Sequence, residues 1–94
     1  MPTYETEPTF VRDYLALSPR QRELLDRAVK KFVADLRAGR FRAGLRVKGY
    51  RGHEGEYEMT WAPDGRAIFR YGQSRRGNEP HVIWVRCGTH DIFE

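Results

Sequence analysis

A single cysteine, Cys87, stands in a chain of 94 residues, which excludes an internal disulfide and a zinc site built on cysteines. In such a setting it is expected to pack as a small apolar side chain rather than to react. Long apolar runs are also missing, and none nears the roughly 20 residues that a membrane span requires. The opening Met1-Pro2-Thr3-Tyr4-Glu5-Thr6-Glu7 has neither the basic start nor the apolar core of a secretory signal. The expected compartment is therefore the cytoplasm. No glycine-rich phosphate loop leads into a helix, because Gly49, Gly52 and Gly55 fall in a connection between strands. His53, His81 and His90 are too widely spaced for a metal-ligand pattern. No serine or cysteine has a nucleophile elbow around it. Neither a metal nor a cofactor is expected.

Acidic residues are absent from Arg37 to Arg51, where Arg37, Arg40, Arg42, Arg46, Lys48 and Arg51 accumulate. Arg66, Arg70, Arg75, Arg76 and Arg86 follow, and the net charge is +4. Segregation of this kind points to a polyanionic partner, nucleic acid or an acidic protein segment. A DNA-reading helix does not fit, since the second predicted helix carries mixed charge rather than a basic stripe.

The length suits one domain, residues 1–94, with one modest core. Tyr4 to Thr6 reads as a short edge strand. Pro8 opens a helix with Phe10, Val11, Tyr14, Leu15 and Leu17 at helical spacing. Ser18-Pro19-Arg20-Gln21 starts a second helix, with serine as N-cap, proline at the first position and glutamine closing a capping box. Leu24, Leu25, Ala28, Val29, Phe32, Val33 and Leu36 form its apolar stripe, and Gly39 ends it. Its opposite face carries Arg22, Asp26, Lys30, Lys31 and Asp35.

After Gly44 the period becomes 2. Leu45 and Val47 alternate with Arg46 and Lys48, and Tyr57, Met59 and Trp61 alternate with Glu56, Glu58 and Thr60. Ala62-Pro63-Asp64-Gly65 is a turn; Arg66 to Tyr71 and His81 to Arg86 are further strands. The predicted class is α+β: a two-helix hairpin on one face of a mostly antiparallel sheet of four to five strands. The other face should collect Arg46, Lys48, Glu56, Glu58, Thr60, Arg66 and Arg70, with His90 at the end of the sheet. Ion pairs of Glu56 and Glu58 with Arg66 or Arg70 are the plain structural reading of these charges. Trp61 and Trp84 read as core.

RNA can be cut without a metal when its own 2′-hydroxyl attacks the adjacent phosphate. That reaction needs a group to move protons and cations where charge builds on phosphate. Histidine titrates near neutral pH, and arginine pairs with phosphate oxygens. The tail Arg86-Cys87-Gly88-Thr89-His90-Asp91-Ile92-Phe93-Glu94 offers both, with an aromatic beside them.

The chain resembles the RelE/ParE toxin superfamily in its order of elements, its Leu-Arg-Val-Lys, Gly-Glu-Tyr-Glu-Met and Gly-Arg-Ala-Ile-Phe segments, and its Gly-Thr-His tail. The Arg-x-Gly-Thr-His run looks most like the YafQ branch. The resemblance implies the toxin of a type II toxin–antitoxin system, an mRNA endonuclease acting on the ribosome and held by a cognate antitoxin. It implies catalytic roles for Arg66, in Arg66-Ala67-Ile68-Phe69, and for Arg86 and His90. Arg46, Lys48, Arg70 and Phe93 become candidate RNA contacts, although Phe93 stands three residues after the histidine where the YafQ-like pattern has four. Asp64 in the Pro-Asp turn is a weaker candidate. In YoeB-like members a tyrosine follows the histidine; here Asp91 does, so no phenolic proton donor follows. RelE-like members use lysines before the hairpin, where Lys48 is the nearest and Glu56 and Glu58 occupy the strand, so the general base is His90 or a glutamate, with Glu58 the candidate. The alternative is a ParE-like inhibitor of DNA gyrase, or a member that binds without cleaving. ParE-like members generally lack the tail histidine.

Overall fold

The computed structural model describes residues 2–89. Strand β1 (Thr3–Thr6) leads into helices α1 (Pro8–Ala16) and α2 (Pro19–Ala38); a 3-10 turn (Ala43–Leu45) precedes β2 (Lys48–Gly49), β3 (Glu56–Ala62), β4 (Gly65–Gly72) and β5 (His81–Thr89). The five strands lie in the order β1-β5-β4-β3-β2. All pairs are antiparallel except β1 with β5, which is parallel. The α+β class and the helix hairpin expected from the sequence are both present. Among the described residues no helix is long and apolar enough to cross a membrane.

The local signals act as read. At the start of α2 the Gln21 N–H donates to the Ser18 hydroxyl at 3.2 Å, and the Ser18 N–H donates to the Gln21 side chain at 2.8 Å. Gly39 ends the helix at φ 81°, in the left-handed region that glycine enters without steric cost. Packing then completes what the periodicity began. Leu25, Ala28 and Phe32 from α2 meet Met59, Ala67, Phe69, Val82 and Trp84 from the sheet in one core. Trp61, Trp84 and Cys87 are all buried, and burial pushes the Cys87 thiol up to about 12. At neutral pH that group is a small apolar filler.

Two expectations change. Leu45 to Lys48 is not a continuous strand, because Ala43–Leu45 forms a 3-10 turn and pairing begins only at Lys48. The cause lies upstream. Asp35, read from periodicity as part of the charged face, is buried and grips Arg42 through Nε at 2.8 Å, Nη2 at 2.9 Å and the backbone N–H at 2.9 Å. That clamp turns the chain back toward the core before β2 can start. Hydrogen bonds from Arg42 hold the Asp35 carboxyl down, at about 2 against its ordinary 3.8. A depressed carboxylate stabilises the fold above its unfolded value, and that stabilisation disappears as pH falls toward its folded value. Asp35→Asn should therefore melt below the parent at neutral pH, with the gap closing as pH drops from 3.8 toward about 2. A gap constant across that window, followed by calorimetry, would remove the ion pair from the account.

The β3–β4 turn shows a second constraint. The Trp61 ring lies over Gly65, where an added Cβ would come within 2.5 Å of it, while Trp61 Nε1 donates to the Arg66 carbonyl at 2.9 Å. Gly65→Ala must displace a buried ring, and overpacking of this kind costs about 1–3 kcal/mol. Urea unfolding of the variant tests this; a midpoint equal to the parent's would show that the ring moves freely.

Candidate nucleic-acid interface

Strand alternation puts a second set of side chains on the face away from the helices. Across it the register aligns Lys48, Glu58, Ile68 and Arg86 in one row, Glu56, Arg70 and Ile83 in a second, and Thr60, Arg66 and Gly88 in a third. Ile68 and Ile83 are buried without joining the core cluster. The face is therefore charged over an apolar floor, rather than uniformly polar as its sequence pattern suggests.

The edge of β5 explains how Arg86 is held. Pairing with β1 ends at Trp84, and α1 takes over the backbone groups beyond. The Thr9 hydroxyl donates to the Val85 carbonyl at 2.7 Å, and the Cys87 N–H donates to Asp13 at 3.2 Å. Val85 is bulged out, since Trp84 pairs with Phe69 and Arg86 with Ile68. A bulge re-aims the side chains that flank it. Arg86 is thereby met by Asp13 at 2.8 and 3.2 Å in a two-point pair. The bond to Asp13 raises the Arg86 guanidinium further above its ordinary value.

The other candidates divide by partner. Glu58 pairs with Lys48 at 3.3 Å, and Arg70 reaches Glu7 at 2.6 Å, so the expected glutamate–arginine pairs across β3 and β4 do not form. Arg70 turns away although Glu56 is its register partner, because Glu7 at the N-cap of α1 lies closer to its guanidinium. Glu56 instead faces His53 at 3.9 Å. Arg66 sits beside the turn, with Nη1 donating to the carbonyls of Ala62, Pro63 and Gly65 at 3.3, 3.3 and 2.9 Å. It meets no carboxylate among the described residues. Arg46 is exposed at φ 48° after the 3-10 turn and is not on the sheet. Asp64 lies in the two-residue turn between β3 and β4. His90 and Phe93 lie outside the described residues.

Two residues carry more than their sequence context suggested. Asp13 falls three residues after Phe10 on the inward stripe of α1, and a carboxylate at such a position is a signal that it has a buried partner. Tyr50, read as loop, stacks on His53 with ring centroids 4.3 Å apart and 9° between planes, and it lies within electrostatic reach of Arg86. Among the described residues no group of three or more His, Cys, Asp or Glu could hold a metal ion.

No family model matches the chain, and no curated protein sequence does. Solved structures do. A chain of the E. coli DinJ–YafQ toxin–antitoxin complex superposes with a TM-score of 0.72 at 15% identity, covering 97% of this chain and 94% of that one. The YoeB/ParE toxin from Agrobacterium tumefaciens gives 0.68 at 13%, over 94% and 98%. A chain of the RelB–RelE complex from Methanococcus jannaschii gives 0.64 at 12%, over 94% and 92%. The fold is that of the RelE/ParE toxins. Within that fold, the helix-free face of this chain carries Lys48, Arg66, Arg70 and Arg86 beside Glu56 and Glu58; the cations are groups of the kind that contact a phosphate backbone.

Proposed function

We propose that this chain is the toxin of a type II toxin–antitoxin pair and an endoribonuclease that cuts mRNA on the ribosome without a metal. The register carries the reading: Arg66 pairs with Gly88 and Gly65 with Thr89, so an arginine with no carboxylate partner among the described residues stands at the strand end after which His90 comes in the sequence. In this reading His90 moves protons between the 2′-hydroxyl and the departing 5′-oxygen, with Glu58 as the other candidate base. Arg66, assisted by Arg86, meets the charge that builds on phosphate. Arg46, Lys48, Arg70 and Phe93 contact the RNA.

A second reading has specific support. Arg86 and Glu58 are engaged by Asp13 and Lys48, as expected of a face that binds its target, such as DNA gyrase, without cleaving anything. Induced expression with mapping of mRNA ends separates the two. Growth arrest with new 5′-ends at mRNA sites is expected; arrest with intact mRNA and blocked gyrase would establish the second reading. With purified ribosomes held at constant magnesium, cleavage should persist in a zinc-selective chelator, and loss of cleavage that zinc specifically restores would overturn the metal-free route.

A further inference from the structure

The connection from β2 to β3 is built more firmly than a glycine-rich loop needs to be. The Tyr50 N–H donates to the Glu56 carbonyl at 2.8 Å, which carries the β2–β3 pairing one residue beyond Gly49. Two tight turns then follow without a break. The His53 N–H donates to the Tyr50 carbonyl at 3.0 Å, and the Glu56 N–H donates to the His53 carbonyl at 3.1 Å. Gly52 and Gly55 take the third position of each turn at φ 84° and 80°, a conformation that glycine adopts without strain. Tyr50 and His53 are thereby set three residues apart with their rings face to face, centroids 4.3 Å apart and planes at 9°. A ring pair fixed in this way needs no ordering when a ligand arrives.

Register gives the pair its direction, and charge its ligand. Tyr50 opposes Glu56, so it shares the helix-free face with Glu56 and Glu58, and it lies within electrostatic reach of Arg86 across that face. His53 stacks on Tyr50 with its own side chain 54% exposed. The segment from Gly49 to Tyr57 lines an open bowl around the two rings. Glu54 follows His53 in the chain, and Glu56 lies 3.9 Å from His53 Nδ1, against Arg51 as the one cation of residues 50–56. Two carboxylates beside the ring repel a phosphate. A neutral, flat base is not repelled, and every base has a face that stacks.

We propose that His53, positioned by Tyr50, is a stacking shelf for one unpaired nucleobase of an RNA strand lying on the charged face, with a purine favoured for its larger ring surface. That this strand is the one cleaved rests on the endoribonuclease reading; the shelf does not. Along β3 the row of Glu56 and the row of Thr60 and Arg66 are four residues apart, about 13 Å at strand rise. A base on His53 therefore belongs to a neighbour of the nucleotide beside Arg66. The cations of the face hold the backbone, and the shelf adds a preference for one base at a fixed offset from the cut.

The test separates binding from cutting. A short single-stranded 2′-O-methyl RNA of purines has no 2′-hydroxyl to attack, so it reports binding to the full chain alone. His53→Ala is expected to bind it about 5- to 150-fold more weakly, the span for one lost stacked base. The loss should be equal at low and high salt, because stacking releases no counterions. His53→Phe keeps a ring without a charge and should bind as the parent does. Both variants leave the two turns their glycines and backbone bonds, so both should fold. An abasic strand of the same length should bind the parent and His53→Ala equally. Equal binding of the purine strand by His53→Ala and the parent overturns the proposal. So does a His53→Phe variant as weak as His53→Ala, an abasic strand that still tells parent from His53→Ala, or a parent that binds no RNA. The two readings fail separately. A parent that binds through His53 yet leaves mRNA intact sinks the endoribonuclease reading and leaves the shelf standing. A parent that cuts mRNA, with His53→Ala binding equally well, sinks the shelf alone.

Discussion

Arg66→Ala is expected to lower the rate of mRNA cleavage at saturating substrate by about 10²–10³-fold, the usual cost of removing one donor to a developing anion. The choice of Arg66 over the other cations follows from their partners. Arg86 is held by Asp13, Arg70 by Glu7 and Lys48 by Glu58. A cation already paired with a carboxylate gains less on meeting a phosphate than one whose hydrogen bonds go to neutral acceptors. Arg66 rests on three neutral carbonyls instead. Moving onto a phosphate exchanges weak acceptors for a charged one, and the hydrogen bonds strengthen accordingly. His90→Gln should cost about 10²–10⁴-fold by removing the acid–base group. Lys48→Ala serves as contrast, weakening RNA binding and lowering its salt slope by about 0.7 on a single strand. Both Arg66→Ala and His90→Gln should relieve growth arrest while the variants stay folded and still bind the partner. If His90→Gln cuts as fast as the parent, His90 is an ordinary polar residue of the tail. If Arg66→Ala cuts as fast, Arg66 does not stabilise the charge that builds on phosphate.

The parts of this structure that were legible in the sequence are those fixed by neighbours in the chain. The Ser18 capping box, the apolar stripe of α2 and the Pro63-Asp64 turn each rest on residues within a few positions of one another, and each formed as read. The helix-free face was legible for Lys48, Glu56, Glu58, Thr60, Arg66 and Arg70, because strand alternation sets which side chains share a face, but not for Arg46, which the 3-10 turn takes off the sheet. What was not legible came from long-range choices. No local pattern tells Arg70 to take Glu7, 63 residues away, over its register partner Glu56. The bulge at Val85 and the Asp13 clamp likewise appear only when α1 meets the β5 edge. Asp13 and Asp35 share one lesson. A carboxylate on or beside the inward stripe of a helix is tolerated only with a partner, and both find an arginine. Reading Asp35 as part of the charged face missed the clamp that shortens β2.

Phe32→Ala is expected to produce the largest loss of stability from a single truncation. Phe32 is fully buried, and its ring lies 5.0 Å from Phe41, 4.9 Å from Phe69 and 5.0 Å from Trp84. It is the point where α2, the segment after it, β4 and β5 meet. Truncating a buried phenylalanine costs about 3–5 kcal/mol, from lost transfer energy and the cavity left behind. Domains of this size are stable by about 5–15 kcal/mol in all, so the variant keeps only part of its margin. At roughly 4–8 °C per kcal/mol, its melting point should fall far below that of Leu15→Ala, which alters an exposed residue. The consequence reaches the charged face. Phe69 and Trp84 pair across β4 and β5 beside the bulged Val85, and that bulge sets the direction of Arg86. A cavity beneath the pair removes the packing that holds the bulge in place. Phe32→Leu fills most of the space and should cost less, retaining more of whatever activity depends on Arg86. Equal melting points for Phe32→Ala and Leu15→Ala would mean that the aromatic cluster relaxes into the gap, and that Phe69 and Trp84 hold their register without it.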